Sequence, residues 1–279
     1  MAPVTGTATT EEWLGAFRRA VEAQKQIFAE HTGIEARTRY DGVGEGGDHT
    51  LVIDKLCEDA IFAELEGIHA DGHEFTVVSE ERGTVAFGDG SSPIRVVIDP
   101  IDGSLNARRT VPCHCLSVAV ADGDSLADVG LGYVFEFGAS EEFFAVRGEG
   151  AELERRAITT GDEDLLELVA IEASKPERVI KVCEVLDGRA YRVRSPGAIA
   201  VALCYVGAGR FDGLVTTRPC RSVDAAGAQL IVREAGGHVV AGDDGLGAAG
   251  LGLDTRYHVA AARTGSDLET LLEAQRALA

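Results

Sequence analysis

The chain divides into an α+β half with an antiparallel-leaning sheet and an α/β half. Three observations predict this. Two stretches of helical periodicity, residues 11–30 and 49–66, precede a series of short apolar runs of strand length. From residue 168 onward, strand-like and helix-like runs alternate. A polar, charged stretch over 151–164 separates the two patterns and sets a boundary at 155/156, with halves 1–155 and 156–279. A chain of 279 residues can bury a large core, as one big or two intimate domains.

In the first helix, Trp13, Leu14, Phe17, Val21, Ile27 and Phe28 share a stripe, and Thr9 or Thr10 before Glu11 and Glu12 gives a start signal. Residues 41–48 are glycine-rich and read as a surface loop. They lack the strand–loop–helix setting and the Lys-Ser/Thr of a nucleotide-binding P-loop. The helix over 49–66 follows, then strands near 75–79, 95–99, 115–121, 128–135 and 142–146, with Asp122-Gly123-Asp124 as a hairpin turn. The second half reads as strand 168–173, helix 176–186, strand 191–194, helix 199–206 and strand 211–216. It continues with helix 225–235, a short strand at 238–240 and a last helix over 267–278. Residues 242–252 form a glycine-rich, solvent-facing loop.

A formal net charge of −20 argues against nonspecific nucleic-acid binding. It also means that an anionic ligand needs local positive charge, which metal ions supply. No apolar run is long enough to span a bilayer, and residues 1–7 lack the basic-then-apolar pattern of a secretory signal, so a cytoplasmic protein is expected. Six scattered cysteines in mostly apolar surroundings read as buried free thiols. Cys113-His114-Cys115 is half a zinc motif without a second half, and in a strand its two thiols share a face as ordinary packing.

The most informative segment is Val96-Val97-Ile98-Asp99-Pro100-Ile101-Asp102-Gly103-Ser104. An apolar strand ends at Pro100, which cannot continue a ladder, and two carboxylates three residues apart follow it. Oxygen ligands of this kind suit Mg²⁺, and the amides of Gly103 and Ser104 can cradle an anion. The structural alternative is an ordinary Asp-Pro, Asp-Gly turn. Further acids sit at comparable places: Glu80 and Glu81 after the run 75–78, Asp224 where a helix starts, and Asp54 on a helix face. Each alone reads equally as solvated surface, or for Asp224 as a helix cap.

In this order, Asp54, Glu80-Glu81, Asp99-Pro100-Ile101-Asp102-Gly103-Ser104 and Asp224-Ala225-Ala226-Gly227, the sequence resembles the inositol monophosphatase family of Mg²⁺-dependent, lithium-sensitive phosphatases. Asn106, Pro112, the run from Arg194 to Asp212 and Glu234-Ala235-Gly236-Gly237 extend the likeness over roughly residues 11–275. Gly46-Gly47-Asp48-His49-Thr50, Ser104 in place of threonine and Val223 before Asp224 point to the archaeal-type branch that also hydrolyses fructose 1,6-bisphosphate. Ala107, where the family usually has Phe, and Thr217, near where animal members carry a substrate-ring Glu, depart from the pattern.

The resemblance implies a layered αβαβα sandwich, a homodimer, and two or three Mg²⁺ ions, with Mn²⁺ as a substitute and Li⁺ as an inhibitor. Carried over residue by residue, it implies that Glu80, Asp99 and the Ile101 carbonyl hold one metal, and that Asp99, Asp102 and Asp224 hold another. Ser104, backed by Asp54, orients or deprotonates the attacking water, and Glu81 supports a metal-held water. Asp102, Gly103, Ser104, Ser174, Lys175, Gly197 and Ala198 contact substrate. Arg194, Arg218 and Arg221 are candidates for a second phosphate, with surface ion pairs as the alternative. Ser104 as a nucleophile is disfavoured, because no histidine stands in triad order. The expected substrates are inositol 1-phosphate, fructose 1,6-bisphosphate or both. A 3′(2′),5′-bisphosphate nucleotidase, a histidinol phosphatase and a noncatalytic anion-binding protein are the competing readings.

Overall fold

Thr9 opens the first helix, α1 (Thr10–Glu30), through a reciprocal cap: its hydroxyl accepts from the Glu12 amide and Glu12 bonds back to the Thr9 amide at 2.6 Å. The computed structural model describes residues 8–43, 49–161, 163, 166–173 and 175–278. A short helix α2 (Ile34–Arg37) leads into a two-stranded ribbon, β1 (Tyr40–Val43) and β2 (His49–Leu51). Of the glycine-rich run, residues 44–48 lie outside the described residues. The helix expected from residue 49 begins later, as α3 (Val52–Ala70), because residues 49–51 pair with β1.

The first sheet contains β3 (Phe75–Ser79), β4 (Gly83–Phe87) and β5 (Arg95–Asp102), and, after the short helix α4 (Ser104–Arg108), β6 (Cys115–Ala121). β7 (Val129–Glu136), β8 (Glu141–Val146), β9 (Gly150–Leu153) and β10 (Arg156–Ile158) complete its eight strands in the order β10-β9-β8-β7-β6-β5-β3-β4. Every described pairing in it is antiparallel except β3 with β5. The strand expected to end at Pro100 runs on to Asp102. Proline is tolerated because the ladder to β3 stops at Ser79↔Ile98 and the ladder to β6 is irregular between Asp99 and Asp102. Cys113 lies before β6, so the shared-face reading of Cys113 and Cys115 does not hold. All six cysteines are free.

The second sheet begins with β11 (Leu166–Glu172), followed by α5 (Pro176–Leu186), β12 (Ala190–Arg194) and α6 (Ile199–Gly207). Then come β13 (Gly213–Thr216), β14 (Cys220–Arg221), α7 (Ser222–Glu234) and β15 (His238–Ala241). β16 (Arg256–Tyr257), β17 (Val259–Ala262) and α8 (Gly265–Arg276) close the chain. The five-stranded order is β12-β11-β13-β17-β15, and β14 pairs with β16 as a separate ribbon. Among the strands that sequence reading passed over, β14 and β16 are only two residues long and β17 is mostly alanine, which carries little strand signal, whereas β4 (GTVAF) has strand-like residues.

Three cores order these elements into αβαβα layers. Trp13, Phe17, Ile61 and Leu65 of α1 and α3 pack on one face of the first sheet, against Phe75, Val96, Val118 and Tyr133. The opposite face, with Val97, Ala119 and Val134, meets α6 and α7, whose other side meets Ala170, Leu214 and Ala261 of the second sheet. Val182, Leu186 and Leu271 cover that sheet's outer face. Helix α7 sits so close to the first sheet that a methyl group at Gly227 would stand 2.6 Å from the Val118 carbonyl oxygen, and one at Gly132 would strike Gly227 itself.

Candidate active site

The β3–β5 pair explains why distant acids meet. Parallel strands end on the same side, and the register Ser79↔Ile98 sets Glu80 beside Asp99. The irregular ladder after Asp99 lets the chain bend so that Asp102 also reaches that side. Asp54 and Asp224 arrive from helices, and both occupy the third helical position. There Asp54 accepts the Leu51 amide at 3.3 Å, and Asp224 the Arg221 amide at 2.8 Å. Asp102 accepts the first amides of α6, Ile199 at 3.2 Å and Ala200 at 2.7 Å. Three of the carboxylates thus face helix N-termini, where the positive end of the peptide dipoles offsets part of their burial.

These side chains line one cleft of about 470 Å³, together with Leu51, Glu81, Ile101, Gly103, Ser104, Leu105, Arg108, Gly197 and Arg221. Six carboxylates share it with two guanidiniums. Burial, then the charge of Glu81, pushes Asp54 up to about 7. Burial pushes Glu80 up to about 8 against the opposing pull of Arg221. Asp99 and Asp102 are raised well above the carboxylate range by burial and by their acidic neighbours. A larger hollow, about 650 Å³, shares no residue with this cleft, and its lining sets only Asp243 and Asp244 among Arg178, Arg256, His258 and Arg276.

The donors fit a hard divalent cation in kind, since all are carboxylate oxygens apart from the Ile101 carbonyl. Asp54 Oδ1 is buried with no hydrogen-bond partner, an oxygen still in need of a positive neighbour. As they stand, no three acidic, histidine or cysteine side chains among the described residues close on one point. The side chain of Arg221 ion-pairs with Glu80 and lies 3.8 Å from Asp224.

Other expected residues divide sharply. Gly103, at φ +87°, makes the turn that brings Ser104 into the cleft, and a methyl group there would stand 2.9 Å from the Cys113 carbonyl oxygen. The Ser104 hydroxyl donates to the Ile101 carbonyl at 2.8 Å, and among the described residues no hydrogen bond joins it to Asp54. The Gly197 amide already serves Glu172, at 3.1 and 3.2 Å, and Ala198 is buried behind Gly103. Arg194 and Arg218 are exposed and do not line the cleft, whereas Arg221 does. Ser174 lies outside the described residues. Lys175 sits at the N-cap of α5 and does not line the cleft.

Two acids were missed. Glu58, buried one turn beyond Asp54, accepts from the Ser79 hydroxyl and from the Arg82 amide at 3.1 Å, fixing the strand end that carries Glu80. Its position four residues after Asp54 on the same helix face was a readable signal. Glu172, raised to about 7 by burial, holds the Gly197 turn. It ends β11 as Asp102 ends β5, so the same rule would have found it.

Comparison with known proteins agrees with this geometry. The sequence profile of the inositol monophosphatase family matches residues 9–278. A Methanothermobacter thermautotrophicus protein named fructose-1,6-bisphosphatase/inositol-1-monophosphatase is 32% identical over 240 residues, 81% of this chain and 83% of that one. A Xylella fastidiosa protein named Nus factor SuhB is 31% identical over 199 residues, 69% of this chain and 68% of its own. The crystal structure of the MJ0109 gene product, an inositol monophosphatase–fructose 1,6-bisphosphatase, superposes with a TM-score of 0.81 at 28% identity, covering 94% of this chain and 99% of that one. With fold, acidic cleft and sequence in agreement, the chain belongs to the inositol monophosphatase family and is a phosphomonoesterase.

Proposed function

We propose that this phosphomonoesterase hydrolyses small sugar and cyclitol phosphates, inositol 1-phosphate and fructose 1,6-bisphosphate foremost, with Mg²⁺. The observation that carries this reading is the convergence of six carboxylates beside the Gly103–Ser104 turn. Relatives bearing both substrate names support the choice of esters. Glu80, Asp99, Asp102, Asp224 and the Ile101 carbonyl would hold the ions, which when bound supply charge neutralisation of the phosphoryl group and a more acidic water. The chain's own groups do the rest. The Gly103 and Ser104 amides orient the phosphoryl oxygens, and the Ser104 hydroxyl, oriented through Ile101, sets the direction from which water approaches. Asp54, raised to about 7, is poised to take a proton near neutral pH. The cleft is open and polar, which suits a small hydrophilic ester.

The test is a hydrolysis panel with Mg²⁺, comparing inositol 1-phosphate, fructose 1,6-bisphosphate, adenosine 3′,5′-bisphosphate and histidinol phosphate. Turnover of the first two is expected to dominate and to stop with chelator. A preference for the nucleotide or for histidinol phosphate would move the assignment within the family, and full activity in chelator would overturn the metal.

A further inference from the structure

Arg221 occupies a position that its charge makes consequential. It lies in the two-residue strand β14, held in register by Arg221↔Arg256, and it is the N-cap of α7. Its main chain is therefore fixed at both ends, while its side chain reaches across to the other sheet. Nη2 pairs with Glu80, at the end of β3, and Nε lies 3.8 Å from Asp224. All three side chains are nearly enclosed: 17% of the Arg221 side chain is exposed, 12% of Glu80 and 14% of Asp224. A guanidinium cannot shed its proton in a protein, so this positive charge is permanent. Glu80 and Asp224 come from the two ends of the proposed cation-binding set, and the Arg221 side chain touches both.

We propose that Arg221 is a built-in stand-in cation: it holds Glu80 and Asp224 together in the metal-free protein and must be displaced by the divalent ion that loads the site. This rests on the metal-dependent reading above. Two physical points carry it. Like-charged buried carboxylates need a positive neighbour in the absence of metal, and Arg221 contacts two of them. A divalent cation and a guanidinium also cannot occupy the same carboxylate oxygens, so binding of one is coupled against the other, and by linkage the coupling is reciprocal. Once released, the side chain still faces the cleft lined by Gly103, Leu105 and Gly197, where its planar fork suits a phosphate.

The experiment measures Mn²⁺ binding to the purified full-length protein from the loss of the free-ion paramagnetic signal, with Mg²⁺ as competitor. Wild type, Arg221→Gln and Arg221→Lys are compared, alongside the melting temperature of each protein with chelator and with Mn²⁺. Removing the charge is expected to tighten Mn²⁺ binding at least ~10-fold, with Lys intermediate. The chelated Gln variant should melt below the chelated wild type and gain more on adding Mn²⁺. Combining Arg221→Gln with Glu80→Gln should abolish the gain. A merely structural role predicts the opposite sign, since a loosened site binds metal more weakly. Unchanged or weaker Mn²⁺ binding by a folded Gln variant, beside measurable binding by wild type, overturns the proposal and leaves the metal reading standing. Should the Gln variant not fold, Lys alone decides by the same criterion. Absence of Mn²⁺ binding by wild type and variants alike overturns both.

Discussion

Asp99 is the residue on which most of the site's geometry converges. It is buried, it accepts the Ile101 amide at 3.0 Å, and its neighbours include Glu80, Asp102 and Asp224. Asp99→Asn keeps the shape and removes the charge, so kcat is expected to fall roughly 100-fold or more, the scale of losing one preorganised charge-stabilising group. Glu81→Gln, at the cleft rim, should cost far less, and steady-state kinetics on folded protein decide both. Ser104 and Asp54 make a second test. If they act as one unit on the attacking water, losses in kcat from Ser104→Ala and Asp54→Asn will be non-additive in a double-mutant cycle. Fully additive losses would separate them, in keeping with the absence, among the described residues, of a direct hydrogen bond between the two. At this scale the acids were legible because carboxylates at strand ends and helix starts leave a mark in sequence. The backbone roles were not: nothing in Ser195-Pro196-Gly197-Ala198 says that the Gly197 amide is spent on Glu172. Sequence could nominate Arg221 but not show that it bridges Glu80 and Asp224.

Among the elements, α7 is the most constrained, because it brings Asp224 to the first sheet from the second half of the chain. Its approach depends on glycine facing glycine, Gly227 against Gly132, with the Val118 carbonyl close behind. Gly227→Ala has nowhere to put its methyl group, so the helix must shift outward, at a cost of roughly 1–3 kcal/mol. The expected result is a lower melting temperature together with weaker divalent-ion binding, measured by calorimetry, since the same shift withdraws Asp224. A variant that melts lower but binds metal as wild type does would uncouple packing from the site. Helices α5 and α6 and strands β3 and β6 stand within a residue of where periodicity put them, because an unbroken apolar pattern fixes them. β5 outran its expected end because Pro100 falls where the ladders on both sides are interrupted, which local sequence does not show.

For the molecule as a whole, pH and metal pull in opposite directions. Asp54 and Glu172 are raised to about 7 and Glu80 to about 8, from ordinary values near 4, with burial the largest cause in each. A carboxyl with a raised folded value takes up protons on folding. The stability it adds is whole below the unfolded value and is lost as pH rises through the folded one. In chelator, the melting temperature should therefore fall between about pH 5 and about pH 8. With saturating Mg²⁺ the trend should flatten or reverse, because binding requires the ionised carboxylates. Differential scanning fluorimetry in both conditions checks this, and a chelated protein that is more stable at pH 8 than at pH 5 would refute the account. The layered architecture itself was legible only through the family resemblance. Alternation of elements shows two halves but not that α6 and α7 lie sandwiched between their sheets.

Those sandwiched helices also set an order of events in the life of the polypeptide. Chains leave the ribosome amino end first, and domains tend to fold as they emerge. The eight-stranded sheet is complete in sequence at Ile158, with Asp99 and Asp102 on β5, Glu80 after β3 and Asp54 on α3 already made, but the helices that cover its second face, α6 and α7, run only from Ile199 to Glu234. Until translation passes Glu234, the nascent chain presents an uncovered apolar sheet, a surface for chaperones. Before Arg221 is made, it also presents the acids of the cleft without Asp224 and without the arginine that pairs with Glu80. A chain cut before Ser222 thus lacks both α7, which packs on the sheet's second face, and the cleft residue Asp224.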